Sequence, residues 1–145
     1  MRKAFRIILT IGFLYLLLCL IVYLFQEKLI FLPEKLEENY KYEFAGNVTE
    51  VDIPVDENIN INWLLFKVEN SKGLIFYLHG NAGSLENWGR VGETYSQFGY
   101  ETFVLDYRGY GKSEGKIESE EQLFADNQNA LTTLKRFIKK KILLF

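Results

Sequence analysis

At 145 residues the chain has room for one domain, and its net charge of −2 offers no basic excess for nucleic acid and no acidic tail for a basic partner. Apolar residues make up 48% and charged residues 25%, ordinary globular proportions once a hydrophobic N-terminus is set aside. The single cysteine, Cys19, excludes an internal disulfide.

Residues 7–25 carry no charge and consist mostly of Leu, Ile, Val and Phe. At about −0.3 to −0.6 kcal/mol for each such residue near a bilayer centre, insertion is favoured by roughly 4–8 kcal/mol. The run exceeds the ~7–15 residues of a cleaved signal peptide, and no small-x-small site follows it. Leu18 also stands where a lipoprotein signal ending at Cys19 requires a small residue. An uncleaved single-pass anchor over residues 1–25 is therefore expected, in contact with membrane lipid through residues 7–25. Arg2, Lys3 and Arg6 precede the run, with Lys28 and Lys35 beyond it. This bias predicts a cytoplasmic N-terminus and an extracytoplasmic soluble part. Residues 26–48 read as a connector, amphipathic as far as Glu38 and broken by Pro33.

Residues 49–55 and 59–68 predict two strands around the turn-prone Asp56-Glu57-Asn58, the second passing from half-exposed to buried. Residues 74–78, all apolar or aromatic, predict a strand buried on both faces. That strand breaks into His79-Gly80-Asn81-Ala82-Gly83. Glycines 80 and 83 bring backbone close to a ligand, so an amide such as that of Asn81 is free to face a negatively charged oxygen, which is what an oxyanion site needs. Leu85, Trp88, Val91, Tyr95 and Phe98 make one apolar face of a helix that Gly99 ends. Residues 101–106 give another buried strand, and Gly109, Gly111 and Gly115 punctuate the loop after it. Ser119 with Gln122 is a capping-box pattern, followed by the stripe Leu123, Phe124, Ala130, Leu131, Leu134, Phe137 and Ile138. Arg136 and Lys139 to Lys141 then suit the negative end of that helix. Alternating strands and helices imply a parallel sheet with crossover helices.

Two stretches, His79-Gly80-Asn81-Ala82-Gly83-Ser84 and then Phe103-Val104-Leu105-Asp106-Tyr107-Arg108-Gly109-Tyr110-Gly111-Lys112-Ser113-Glu114-Gly115, together resemble the first half of an α/β-hydrolase. The resemblance covers residues 26–145 and is nearest to the membrane-anchored Bem46-like branch, related to serine aminopeptidase-like and acyl-thioesterase members. It implies an α/β fold: an incomplete α/β-hydrolase sheet, opening hairpin first and parallel strands after, following one N-terminal transmembrane helix. Residues 49–145 would form the N-terminal part of that domain. The strand ending at His79 would lie between the strand ending at Asp106 and the strand leading to the nucleophile. His79, Gly80, Asn81 and Ala82 would form the oxyanion-hole loop, with Gly83, Asp106, Arg108, Gly109 and Gly111 shaping it. Asp106 and Arg108 are expected as a loop ion pair. His79, the only histidine, would structure the loop instead of acting as a base. Ser84 is expected to start a helix and Ser113 to be a loop hydroxyl.

In that family the position of residues 142–145 is the strand before a Gly-x-Ser-x-Gly nucleophile turn. No such motif occurs in the 145 residues, and the acid and histidine that follow the serine in chain order are missing too. No triad residue, metal ligand or cofactor is therefore expected here. The resemblance implies a serine hydrolase of ester, thioester or peptide bonds, truncated before the nucleophile turn and inactive as this chain. It would meet a small acyl or peptide substrate only if completed. The alternative is a non-catalytic membrane-tethered binding module, or half of a split hydrolase. A nucleotide site in residues 106–113 fits poorly, because Asp106 replaces the first glycine of the phosphate-binding pattern and would repel phosphate. A poorly covered apolar strand beside the missing part also predicts marginal stability.

Overall fold

The computed structural model describes residues 2–137 and 142–144. The chain divides into two compact units, Met1–Leu32 and Pro33–Phe145. The first is built on helix α1, Arg2–Ile30, whose side chains are all left unburied. Its 29 residues extend about 43 Å at ~1.5 Å each, more than the ~30 Å hydrocarbon layer of a bilayer. This helix is long and apolar enough to cross a membrane. It continues past Phe25 to Ile30, so the first part of the expected connector is helical.

The second unit contains strands β1 (Asn47–Asp56), β2 (Ile59–Lys67) and β3 (Leu74–Leu78), helix α2 (Leu85–Gln97), strand β4 (Glu101–Leu105), helix α3 (Glu120–Phe137) and strand β5 (Ile142–Leu144). They form a five-stranded sheet in the order β1-β2-β4-β3-β5. β1 and β2 make an antiparallel hairpin, with a register shift between Pro54 and Asp56, and β2 continues antiparallel onto β4. β3 runs parallel to both β4 and β5, and so sits between them as the resemblance implies.

Leu64, Phe66, Leu85 and Val104 form a buried cluster under α2, bordered by Tyr42, Phe44, Tyr77 and Trp88. Phe103 is in contact with Trp63 and Phe76, at ring separations of 4.1 and 4.9 Å. α2 reaches the sheet through glycine. Its buried residues are Leu85, Gly89 and Gly92, while Phe98 of the expected stripe is 61% exposed. Large side chains flank this contact because glycine lets the helix come close to Phe44 and Phe66. A Cβ on Gly92 would lie 2.2 Å from the Phe66 ring, and one on Gly89 2.3 Å from Phe44. Gly92→Ala is accordingly expected to cost about 1–3 kcal/mol by overpacking, measured as a lower urea midpoint at unchanged slope. The helix ends as expected at Gly99, where the Tyr100 amide donates to Tyr95 O and the Gly99 amide to Ser96 O, the paired bonds of a Schellman turn.

Three further expectations are corrected. Leu78, expected to be buried, is 40% exposed, and Phe124 of the α3 stripe is 73% exposed. Both line an apolar cleft of about 550 Å³ with Phe76, Tyr107, Leu123 and Leu131. α3 buries Ala130 and Leu134 of the expected stripe, together with Asp126 one turn before Ala130. The Gln122 amide donates to Ser119 Oγ as in a capping box, but Gln122 Oε1 accepts the amide of Glu118 instead of Ser119. The side chains of Arg136 and Phe137, and residues Ile138 and Lys139 to Lys141, lie outside what is described.

Candidate functional site

β3 ends at Leu78 and delivers His79 into a cage of aromatic rings. Trp88 stacks on the imidazole at 5.8 Å, and Tyr107 and Tyr110 lie 4.4 and 5.4 Å from it. These groups spend their hydrogen bonds on the backbone of the loop that follows. Tyr107 Oη donates to His79 O at 2.7 Å, His79 Nδ1 to Gly80 O at 2.7 Å, Tyr110 Oη to Asn81 O at 2.6 Å and Trp88 Nε1 to Ala82 O at 2.7 Å. The Glu34 amide donates to Gly83 O at 3.1 Å. Each carbonyl from residue 79 to residue 83 is thereby held by a dedicated donor. Burial raises both tyrosines, Tyr110 to about 12, so they remain protonated donors at neutral pH. With its carbonyl tied, exposed Asn81 keeps an amide that donates to none of the described protein acceptors. Such an amide is the kind of donor that an anionic oxygen accepts from.

Asp106 underlies the loop. Its side chain is fully buried, with Oδ1 3.2 Å from His79 Nε2 and Oδ2 accepting the Leu85 amide at 3.1 Å. The first pair is close but off the line that a hydrogen bond prefers, since neither atom has an aligned partner. Gly80 O is only an acceptor, so Nδ1 carries a proton, and any further proton of the pair belongs on Nε2 or Oδ1. Burial raises Asp106 above its ordinary value, opposed by His79, the Leu85 amide and Lys35. Gly111 covers the carboxylate: a Cβ there would meet Oδ2 at 1.9 Å, and its φ of +45° is left-handed.

One expected contact is absent. The Asp106–Arg108 ion pair is not formed, because Arg108 turns to α3 and grips Asp126 with two bonds of 2.6 and 2.9 Å, with Asp56 3.7 Å away. Ser84 starts α2 as expected, at its N-cap position, although its buried hydroxyl caps nothing; the Asp106 carboxylate accepts the neighbouring Leu85 amide. Ser113 is a buried brace: it donates to Asp106 O and accepts the Asn62 amide, both at 2.8 Å. Gly80 is held close by Trp88, 3.3 Å from where a Cβ would stand, and only Gly83 of the two loop glycines has positive φ. Gly109 turns the second loop back, its amide donating to Glu114 O at 3.2 Å. Lys112 pairs with Glu50 at 2.8 Å and lies over Tyr42, away from any phosphate cradle. Trp88, Tyr107, Tyr110 and Asp126 were missed as site residues. Asp126 had a signal, a carboxylate one turn before Ala130 on the buried face.

A family model described as serine aminopeptidase, S33 (Hydrolase_4) matches residues 69–145. Protein bem46 of Schizosaccharomyces pombe is 31% identical over 136 residues, 88% of this chain and 42% of that protein. The lysophosphatidylserine lipase ABHD12 of Danio rerio is 42% identical over 55 residues, 37% of this chain and 14% of that protein. Among solved structures, a Pyrococcus furiosus esterase superposes with a TM-score of 0.61 at 21% identity, over 80% of this chain and 47% of that one. At that identity the likeness shows the fold. The chain spans less than half the length of these proteins.

Proposed function

Because the chain belongs to the serine aminopeptidase S33 family of α/β-hydrolases, we propose that it is the oxyanion-loop half of a membrane-anchored serine hydrolase acting on ester, thioester or peptide bonds. The observation that carries this reading is the row of tied carbonyls from His79 to Gly83 beside the undonated Asn81 amide. Acyl transfer by serine needs a hydroxyl, a base, an orienting carboxylate and preset oxyanion donors. The 145 residues contain no Gly-x-Ser-x-Gly turn. Their contribution is one donor, and the second is the amide after the nucleophile. Nucleophile, base and orienting acid are therefore assigned to the part of the relatives that residues 1–145 do not span. Esters are favoured by one relative, the lysophosphatidylserine lipase ABHD12. We place α1 across a membrane with Arg2, Lys3 and Arg6 on the cytoplasmic side and the hydrolase portion opposite.

The test is reconstitution: the chain is joined after residue 144 to the nucleophile-bearing half of a Bem46-like relative and assayed on p-nitrophenyl esters. Turnover that requires both halves is expected. A correctly folded fusion without turnover would remove the proposal. The split-hydrolase reading is favoured by the cleft beside Leu78 and Phe124, an apolar face of the kind that a second polypeptide covers.

A further inference from the structure

The segment 34–44 belongs to no regular helix or sheet, and its residues are largely exposed. A passive connector would leave its polar groups to water. Instead, these groups converge on both loops of the candidate site. The Glu34 amide donates to Gly83 O at 3.1 Å, the Gly111 amide to Glu34 O at 2.8 Å, and the Leu36 amide to Gly111 O at 3.0 Å. Lys35 Nζ donates to Ser113 O at 2.6 Å, across 78 residues of sequence. The first turn of α2 is held as well, Asn87 Nδ2 donating to Glu34 Oε2 at 3.1 Å and Tyr40 Oη to Glu86 Oε1 at 2.9 Å. Tyr42 Oη then reaches buried Asn62 at 3.0 Å.

The atoms that receive these bonds matter to the oxyanion loop. Gly83 O is the last carbonyl in the tied row. Gly111 is the residue that covers the Asp106 carboxylate, and Ser113 is the brace whose hydroxyl holds Asp106 O. From geometry, we infer that Glu34 and Lys35 are positioning residues: they form a strap that fixes the Gly83 turn against the Gly111 turn and so sets the direction of the Asn81 amide. The inference rests on the oxyanion reading of that loop. Internal bonds already join the two loops on the buried side, through Tyr107, Tyr110 and Asp106. The strap closes the outer side, where little apolar burial holds the backbone and local opening is otherwise cheap. Lys35 also adds a charge near Asp106, whose other titratable neighbours are His79, Tyr42, Tyr107 and Tyr110.

The strap is tested on the full chain in detergent micelles by residue-resolved amide exchange and by the pH dependence of the Leu85 amide resonance, which reports the carboxylate that it donates to. Lys35→Met is expected to speed exchange at residues 83–85 and at Gly111 about tenfold, as loss of a charge-assisted bond permits local opening. Exchange in β2 and β4 should not change. The Asp106 midpoint should also rise, because Lys35 lowers it. Lys35→Arg should restore both readouts, and Glu37→Gln, an exposed change in the same segment, should alter neither. Unchanged exchange in Lys35→Met overturns the strap. So does a uniform increase through β2 and β4, which is plain destabilisation. Neither readout requires turnover, so failure of the strap is distinguishable from failure of reconstitution.

Discussion

Asp106→Ala is expected to destabilise the hydrolase portion by about 2–4 kcal/mol, the combined cost of an unsatisfied buried amide and of the cavity left by a fully buried side chain. The carboxylate accepts the Leu85 amide at the start of α2, approaches His79 Nε2 and lies beneath Gly111. Its loss strands the buried Leu85 amide and opens a cavity beside the His79 ring. Against the ~5–15 kcal/mol that holds a typical domain, this is a large share. Asp106→Asn keeps the shape and an acceptor for Leu85, so it is expected to cost less than the alanine change. The two also differ with pH. Burial raises Asp106 above 3.8, so the folded state favours the neutral acid. That contribution is complete below 3.8 and lost as pH rises through the raised folded value. Asparagine does not titrate, so the Asn variant should gain on the native chain as pH rises from about 4. Urea unfolding of the full chain in micelles, followed by tryptophan fluorescence, measures both effects. An alanine variant within about 1 kcal/mol of the native chain would contradict the central place given to this carboxylate.

Asn81→Pro in the reconstituted enzyme is expected to lower kcat by about 10²–10³, the usual effect of deleting one oxyanion donor. Proline removes the backbone N–H and leaves the carbonyl that Tyr110 holds. Asn81→Ala removes the side chain only and is expected to keep most of the activity, because Asn81 is exposed and its side chain makes no described bond. The contrast separates an amide role from a side-chain role. Since the donor acts on charge that develops in the transition state, kcat should fall much more than KM rises. Equal activity of the proline and alanine variants, with the fold retained, would show that the Asn81 amide faces no reacting oxygen.

Runs and periods in the sequence carried the elements: β3 and β4 were visible as apolar stretches, the hairpin by its turn residues, and α2 by its spacing and by Gly99. The order of β3 between β4 and β5 came from the resemblance, because local pattern does not encode which strands pair. The close approach of α2 was hidden because Gly89 and Gly92 have no side chain to mark a buried face. Exposure of Leu78 and Phe124 was also illegible, since hydropathy reports what a residue prefers and not what covers it. Within the site, the loop could be read from His79 to Gly83. Its supports could not, because Trp88, Tyr107 and Tyr110 act through single hydroxyl or indole hydrogens that look like ordinary core aromatics in a sequence. Arg108 chose Asp126 over neighbouring Asp106 because Asp106 is already committed beneath the loop and α3 presents its carboxylate to the guanidinium fork.

Labelling of the purified 145-residue chain with a fluorophosphonate, followed by peptide mapping, tests the division of labour most directly. The expected result is no adduct on Ser84 or Ser113, because Ser84 is a buried N-cap and Ser113 a buried brace, neither with a base hydrogen-bonded to its hydroxyl. A stoichiometric adduct on either serine, with hydrolysis of an activated ester, would contradict it.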